Sequence, residues 1–83
     1  MEYSTLAIDP TRTGQRIAQL CGEKGVTVRQ LQTLFGFAAP NAIYRWLRGD
    51  ALPTVDHLVI LAHALDVRVD DLLVMRGEHP ERE

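Results

Sequence analysis

The chain has 83 residues, 46% of them hydrophobic and 24% charged, with a formal net charge of −2; this makes one domain with enough apolar content for a small core and too much for disorder. No apolar run approaches the roughly 20 residues that span a bilayer, and MEYSTLAIDP lacks the basic start and apolar centre of a leader, so a soluble cytoplasmic protein is expected. The single cysteine, Cys21, excludes an intrachain disulfide and a thiolate metal cluster, and His57, His63 and His79 are too scattered for a zinc site.

Residues 1–8 have no clear period and read as an arm, in which Tyr3, Leu6 and Ile8 are apolar enough to lie on the body or to meet a second subunit. Asp9-Pro10 then reads as N-cap and first position of a helix. Ile17, Leu20 and Cys21 supply its buried stripe and Gly25 its stop. Gly14 inside this helix costs about 1 kcal/mol relative to alanine unless another element packs closely there, and close packing is expected. Arg12, Arg16 and Lys24 read as surface charges.

Thr27 and Gln30 form a T-x-x-Q capping box at the start of a second helix, with Val28, Leu31 and Phe35 on its apolar face and Gly36 as its left-handed stop. A third helix begins at Pro40, whose missing N–H suits the first position, and ends at Gly49. Ile43, Trp46 and Leu47 form its apolar stripe, and Asn41, Ala42, Tyr44, Arg45 and Arg48 take the remaining surface. An amide, a phenol and two guanidiniums on one face suit the base edges and phosphates of a major groove, although a plain solvated face has the same pattern. A capped helix, a short turn and a second helix with such a face is the order of a helix-turn-helix.

After the loop Asp50–Pro53, Thr54 caps a fourth helix with Asp56 near its positive end. Val55, Leu58, Leu61, Ala62 and Leu65 make its core face. Val59 and Ile60 fall outside that face; with Val69, Leu73 and Met75 of a fifth helix over 69–75 they form a dimer or partner surface, or pack under the arm or tail. Asp70 and Asp71 start the fifth helix, and Arg68 stands where a better cap is usual. The tail, 77–83, is short and charged.

Net acidity is unusual for a nucleic-acid binder, but the charge is unevenly placed. Between Thr11 and Gly49 six basic residues face one acid, Glu23, giving +5. From Asp50 onward three arginines face eight acids, giving −5. Such a dipole steers its basic half onto phosphates by local field.

Gly36, Phe37, Pro40, Ala42, Ile43, Tyr44, Trp46, Gly49, Leu52 and Pro53 stand in register as G-F-x-x-P-x-A-I-Y-x-W-x-x-G-x-x-L-P. On these residues the chain resembles the XRE-type, lambda-repressor-like helix-turn-helix regulators, in the variant with a longer turn. The likeness continues through LAHALDVRVDDLL to about Leu73 and back to Thr13-Gly14-x-x-Ile17. It implies an all-α, compact five-helix DNA-binding domain over 9–76, with the helix-turn-helix at helices 2 and 3 and without cofactor or metal. The implied function is sequence-specific regulation of transcription, with the recognition helix, 40–48, in the major groove of double-stranded DNA and the protein a two-fold homodimer.

By the same resemblance Asn41 and Arg45 reach base edges, where an amide pairs with adenine and a guanidinium with guanine, and Ala42 meets a thymine methyl. Thr27, Val28 and Arg29 at a helix N-terminus, with Tyr44 and Arg48, are the expected phosphate contacts. Cys21 and Leu47 occupy positions where related domains often pair an arginine with a glutamate, so Cys21 is expected in the core near Leu47. Three departures weaken phosphate binding: Val28 replaces a frequent glutamine, Ala38 and Ala39 replace capping residues, and Asp50 stands where lysine is common. A protein-interaction module, antitoxin-like and using the acidic C-terminal half, is the competing reading. An enzyme is not expected, because no acid–base pair, activated nucleophile or glycine-rich phosphate loop is present.

Overall fold

Asp9 begins helix α1, Pro10–Lys24, by accepting the Arg12 N–H on Oδ1 at 3.0 Å. Helix α2, Val28–Phe35, starts on a complete capping box: the Gln30 N–H donates to Thr27 Oγ1 at 3.1 Å, and the Thr27 N–H to Gln30 Oε1 at 2.8 Å. Helices α3, Asn41–Arg48, α4, Val55–Leu65, and α5, Val69–Leu72, follow. These elements belong to a computed structural model that describes residues 7–76. Residues 1–6 of the expected arm, 1–8, and the tail 77–83 lie outside the described residues, whereas Ala7 and Ile8 form a short strand. No helix among the described residues is long and apolar enough to cross a membrane.

The fold is the expected all-α arrangement of five helices in the lambda-repressor-like manner, with one core drawn from all of them: Ile17 and Leu20, Leu31, Ile43 and Trp46, Leu58, Leu61 and Leu65, and Leu72. Gly14 explains how α3 sits so low on α1. A Cβ on Gly14 would lie 2.3 Å from the Trp46 carbonyl oxygen and 2.7 Å from that of Leu47, so the two backbones meet directly. Beyond the end of α3, Gly49 at φ 84° presses on Thr11, with only 2.6 Å between the Thr11 Cα and the position a Cβ would take. Two glycine contacts therefore fix α3 along the first half of α1.

Cys21 and Leu47 are both half-buried against the core. Loss of water around Cys21 pushes its thiol pKa up, which suits a packing residue that stays protonated at neutral pH.

Four expectations are corrected. Pro40 is the N-cap of α3, at φ −85° and ψ 9°, and its carbonyl accepts the Tyr44 N–H at 3.1 Å; the helix therefore begins at Asn41. Val55, expected in the core face of α4, is 75% exposed, because the buried positions run as Leu58, Leu61, Ala62 and Leu65 and the first residue of the helix lies beyond the end of the core. Arg16 is no free surface charge: its Nε donates to the Asp71 carbonyl at 2.7 Å, holding the end of α5.

The fourth concerns the fifth helix, which stops at Leu72 instead of reaching Met75. The chain turns extended at Leu73, φ −98° and ψ 134°, because α1 takes both polar groups of Val74. The Asp9 N–H donates to the Val74 carbonyl at 2.7 Å, and the Val74 N–H donates to Thr13 Oγ1 at 3.1 Å. Strand β2, Met75–Arg76, then pairs antiparallel with strand β1, Ala7–Ile8, as Ala7 opposite Arg76 and Ile8 opposite Met75.

Thr13 is 1% exposed, a buried polar side chain whose acceptor serves that extended segment. Thr13→Val keeps the shape but strands the Val74 N–H, so a loss of about 1.5 kcal/mol is expected. Urea unfolding checks it, and faster exchange of the Val74 amide hydrogen should accompany the loss. An unchanged midpoint and amide would show that water or another group serves the N–H as well.

Candidate nucleic-acid interface

The turn between α2 and α3 is Gly36–Pro40, and its shape is set by hydrogen bonds from both sides. The Gly36 N–H donates to the Thr33 carbonyl at 3.1 Å and the Phe37 N–H to that of Gln32 at 3.0 Å, while Gln32 Nε2 donates back to the Phe37 carbonyl at 3.3 Å. This folds the Phe37 ring onto Phe35, stacked at 5.1 Å with planes 12° apart. Trp46 of α3 meets both phenyl rings edge-on at 5.4 and 6.0 Å, and His57 of α4 does so at 5.2 and 5.4 Å. Trp46 and His57 themselves are 5.3 Å apart. Each such ring pair adds about 0.5–1.5 kcal/mol beyond area burial, so the four rings fix the angle between the two helices.

On α3, Ile43 is fully buried and Trp46 is 5% exposed, which turns Asn41, Tyr44, Arg45 and Arg48 outward. Asn41, Arg45 and Arg48 follow the i, i+4, i+7 spacing of one helical face, with Tyr44 beside them. Ala42 is half-buried and packs partly against the core. Its small side chain keeps the flank of that face low.

Thr27 and Arg29 are exposed at the N-terminus of α2, whereas the Val28 side chain packs partly against the core. Among the described residues no group accepts the N–H of Val28 or of Arg29, nor those of Asn41, Ala42 and Ile43 at the start of α3. Two helix N-termini therefore carry open donors near basic side chains. Among the described residues Arg29 and Arg45 have no carboxylate partner, but Arg48 Nε is held by Asp50 Oδ2 at 2.9 Å.

The residues expected to meet a dimer partner do not lie on one helix pair. Val59, 43% exposed, and Val69 line an open groove of about 380 Å³ with Ala62, His63, Asp66, Val67 and Arg68. Ile60 is half-buried, Leu73 is half-buried in the extended segment against the core, and Met75 belongs to β2.

A family model described as Helix-turn-helix matches residues 17–72, from the middle of α1 to the end of α5. The chain belongs to this helix-turn-helix family. Among solved structures, the restriction-modification controller protein C.AhdI from Aeromonas hydrophila resembles it with a TM-score of 0.68 and 28% identity, over 77% of this chain and 96% of that one. The DNA-binding domain of BldD has a TM-score of 0.65 at 21% identity, over 89% of this chain and 100% of that one, a likeness of fold. No curated protein matches the sequence. The helix-turn-helix protein is thus related to XRE/Cro-like regulators at the level of the superfamily.

Sequence reasoning missed Gln32 and His57 in the support of this helix-turn-helix. Phe37 and Trp46 were visible as motif residues, but nothing local marks a histidine one turn into α4 as the fourth ring of their cluster. Arg16 and Thr13 were missed for the same reason, since their partners lie 55 and 61 residues away.

Proposed function

We propose that this protein is a sequence-specific double-stranded DNA-binding regulator of transcription, acting as a two-fold dimer with α3 in the major groove. The observation that carries the proposal is the outward face Asn41, Tyr44, Arg45 and Arg48 above the buried Ile43 and Trp46. Asn41 and Arg45 read bases, as bidentate partners of adenine and guanine, and Ala42 admits a thymine methyl. Thr27, Val28 and Arg29 contact phosphate from the start of α2, with Tyr44 and Arg48 on the flank of α3. The controller protein C.AhdI, similar over most of the chain, supports a regulatory role.

The dimer surface we propose is the region of Val59, Ile60, Val69, Leu73 and Met75, where an exposed valine borders an open groove of mixed apolar and charged lining. A two-fold pair would set the recognition helices about one turn of DNA, ~34 Å, apart. Selection of bound duplexes from a random pool at near-physiological salt is the test. Enrichment of an inverted repeat supports the reading. Recovery of no motif, with retention lost on a modest addition of salt, would sink it.

A second reading, a protein-interaction module on the same fold, is favoured by the groove at Val59 and by the Asp50 carboxylate on Arg48. The same selection discriminates, because that module enriches no sequence.

A further inference from the structure

Arg48 lies on the exposed face of α3, one turn beyond Arg45. Unlike Arg45 and Arg29, it is already engaged, with its Nε donating to Asp50 Oδ2 at 2.9 Å. The pair is not needed for the fold. Its side chains are 60% and 53% exposed, and ion pairs so open to water contribute little to stability.

It is nonetheless held in place at both ends. The Asp50 N–H donates to the Arg45 carbonyl at 2.9 Å, and the Gly49 N–H to that of Trp46 at 3.1 Å, so the backbone beyond α3 curls back over its last turn. Gly49 is also wedged against Thr11 of α1. The carboxylate is therefore presented to the guanidinium by the way the helix ends, two residues away in sequence.

We infer that Asp50 is an affinity-setting residue of the DNA-binding face, an internal competitor that occupies Arg48 where a backbone phosphate would otherwise bind. A carboxylate oxygen on Nε satisfies the donor a phosphate oxygen would take, and its charge cancels one of the basic charges on that face. Attraction to phosphate is the part of DNA affinity that carries no sequence information. Weakening it lowers background binding and leaves recognition dependent on Asn41 and Arg45.

This inference rests on the DNA-binding reading and deepens it. The test measures affinity for a selected duplex and for a scrambled one across a salt series, in the wild type, Asp50→Asn, Arg48→Gln and the double variant. Asp50→Asn is expected to tighten binding of both duplexes about threefold to tenfold at low salt, and to steepen the slope of log K against log salt by about one phosphate. In the Arg48→Gln background the gain should fall below about twofold, because only the general field of one charge remains. Asp56→Asn, with the same change in net charge in the first turn of α4 and outside the proposed dimer groove, is the control and should give no such gain.

Weaker binding by Asp50→Asn would overturn the inference, since Asp50 would then be aiming Arg48 at the phosphate. An unchanged salt slope, or an equal gain with and without Arg48, would overturn it too. Wild type and variants that all leave both duplexes unbound at low salt would remove the DNA-binding reading itself, and the inference with it.

Discussion

Gly14→Ala is expected to lower the unfolding free energy by about 3 kcal/mol, at the upper end of overpacking effects. Helix propensity alone has the opposite sign, since alanine inside a helix is favoured over glycine by about 1 kcal/mol. The added methyl, however, would stand 2.3 Å from the Trp46 carbonyl oxygen and 2.7 Å from that of Leu47. These are backbone atoms of α3 and cannot turn aside as a flexible side chain would. To make room, α3 must lift off α1, which loosens Ile43 and Trp46 against Ile17 and opens the contact of Gly49 with Thr11.

Gly22 supplies the comparison within the same helix, because a Cβ there meets nothing within 4 Å. Gly22→Ala should stabilise by about 0.5–1 kcal/mol. Guanidinium unfolding of the two variants, read at constant m-value, measures both signs; for a domain of this size the Gly14 variant should melt about 15 °C lower. A stabilised Gly14→Ala would mean that α1 and α3 do not approach as described. Because α3 carries the outward face, the same variant should bind DNA poorly even at temperatures where it remains folded.

Arg45→Ala is expected to cost about 1–3 kcal/mol of binding to the selected duplex, roughly 5- to 150-fold, and to relax the preference for one base pair. The side chain is exposed and, among the described residues, without a carboxylate partner. Its removal should leave the fold alone, as alanine is at least as good a helix former. Loss of affinity can therefore be read as loss of a contact with DNA.

Arg29→Ala makes the contrast. A phosphate contact from the start of α2 should weaken selected and scrambled duplexes alike and reduce the salt slope by about one. Titration of both variants against both duplexes separates the two roles. If Arg45→Ala weakened selected and scrambled duplexes equally, Arg45 would be a phosphate contact and base reading would fall to other residues.

Most starts and stops of the helices were legible because their chemistry is local, the start of α3 and the end of α5 excepted. Asp9, Thr27 with Gln30, and Thr54 each accept an N–H three residues ahead, and Gly36 and Gly49 end their helices in the left-handed conformation. All of these interactions fall within one helical turn. The outward face of α3 was legible for the same reason, since a helix that buries Ile43 and Trp46 must expose Asn41, Arg45 and Arg48. Gly14 announced a close approach without revealing what approached.

The sequence by itself determined that the protein is helical, where the helices capped by Asp9, Thr27 and Thr54 begin and which side chains its third helix offers to solvent. Only the tertiary structure decided that Trp46 and Leu47 meet Gly14, that His57 completes the ring cluster behind the turn, and that Asp9 and Thr13 stop the last helix by capturing Val74. It also showed Arg48 held by Asp50. Caps and periodicity act between neighbours along the chain, within about four residues, and so are written in it. The contacts that tie the last helix and the extended segment after it to α1 join residues 55 and 61 apart, and whether they form depends on how every element between them packs.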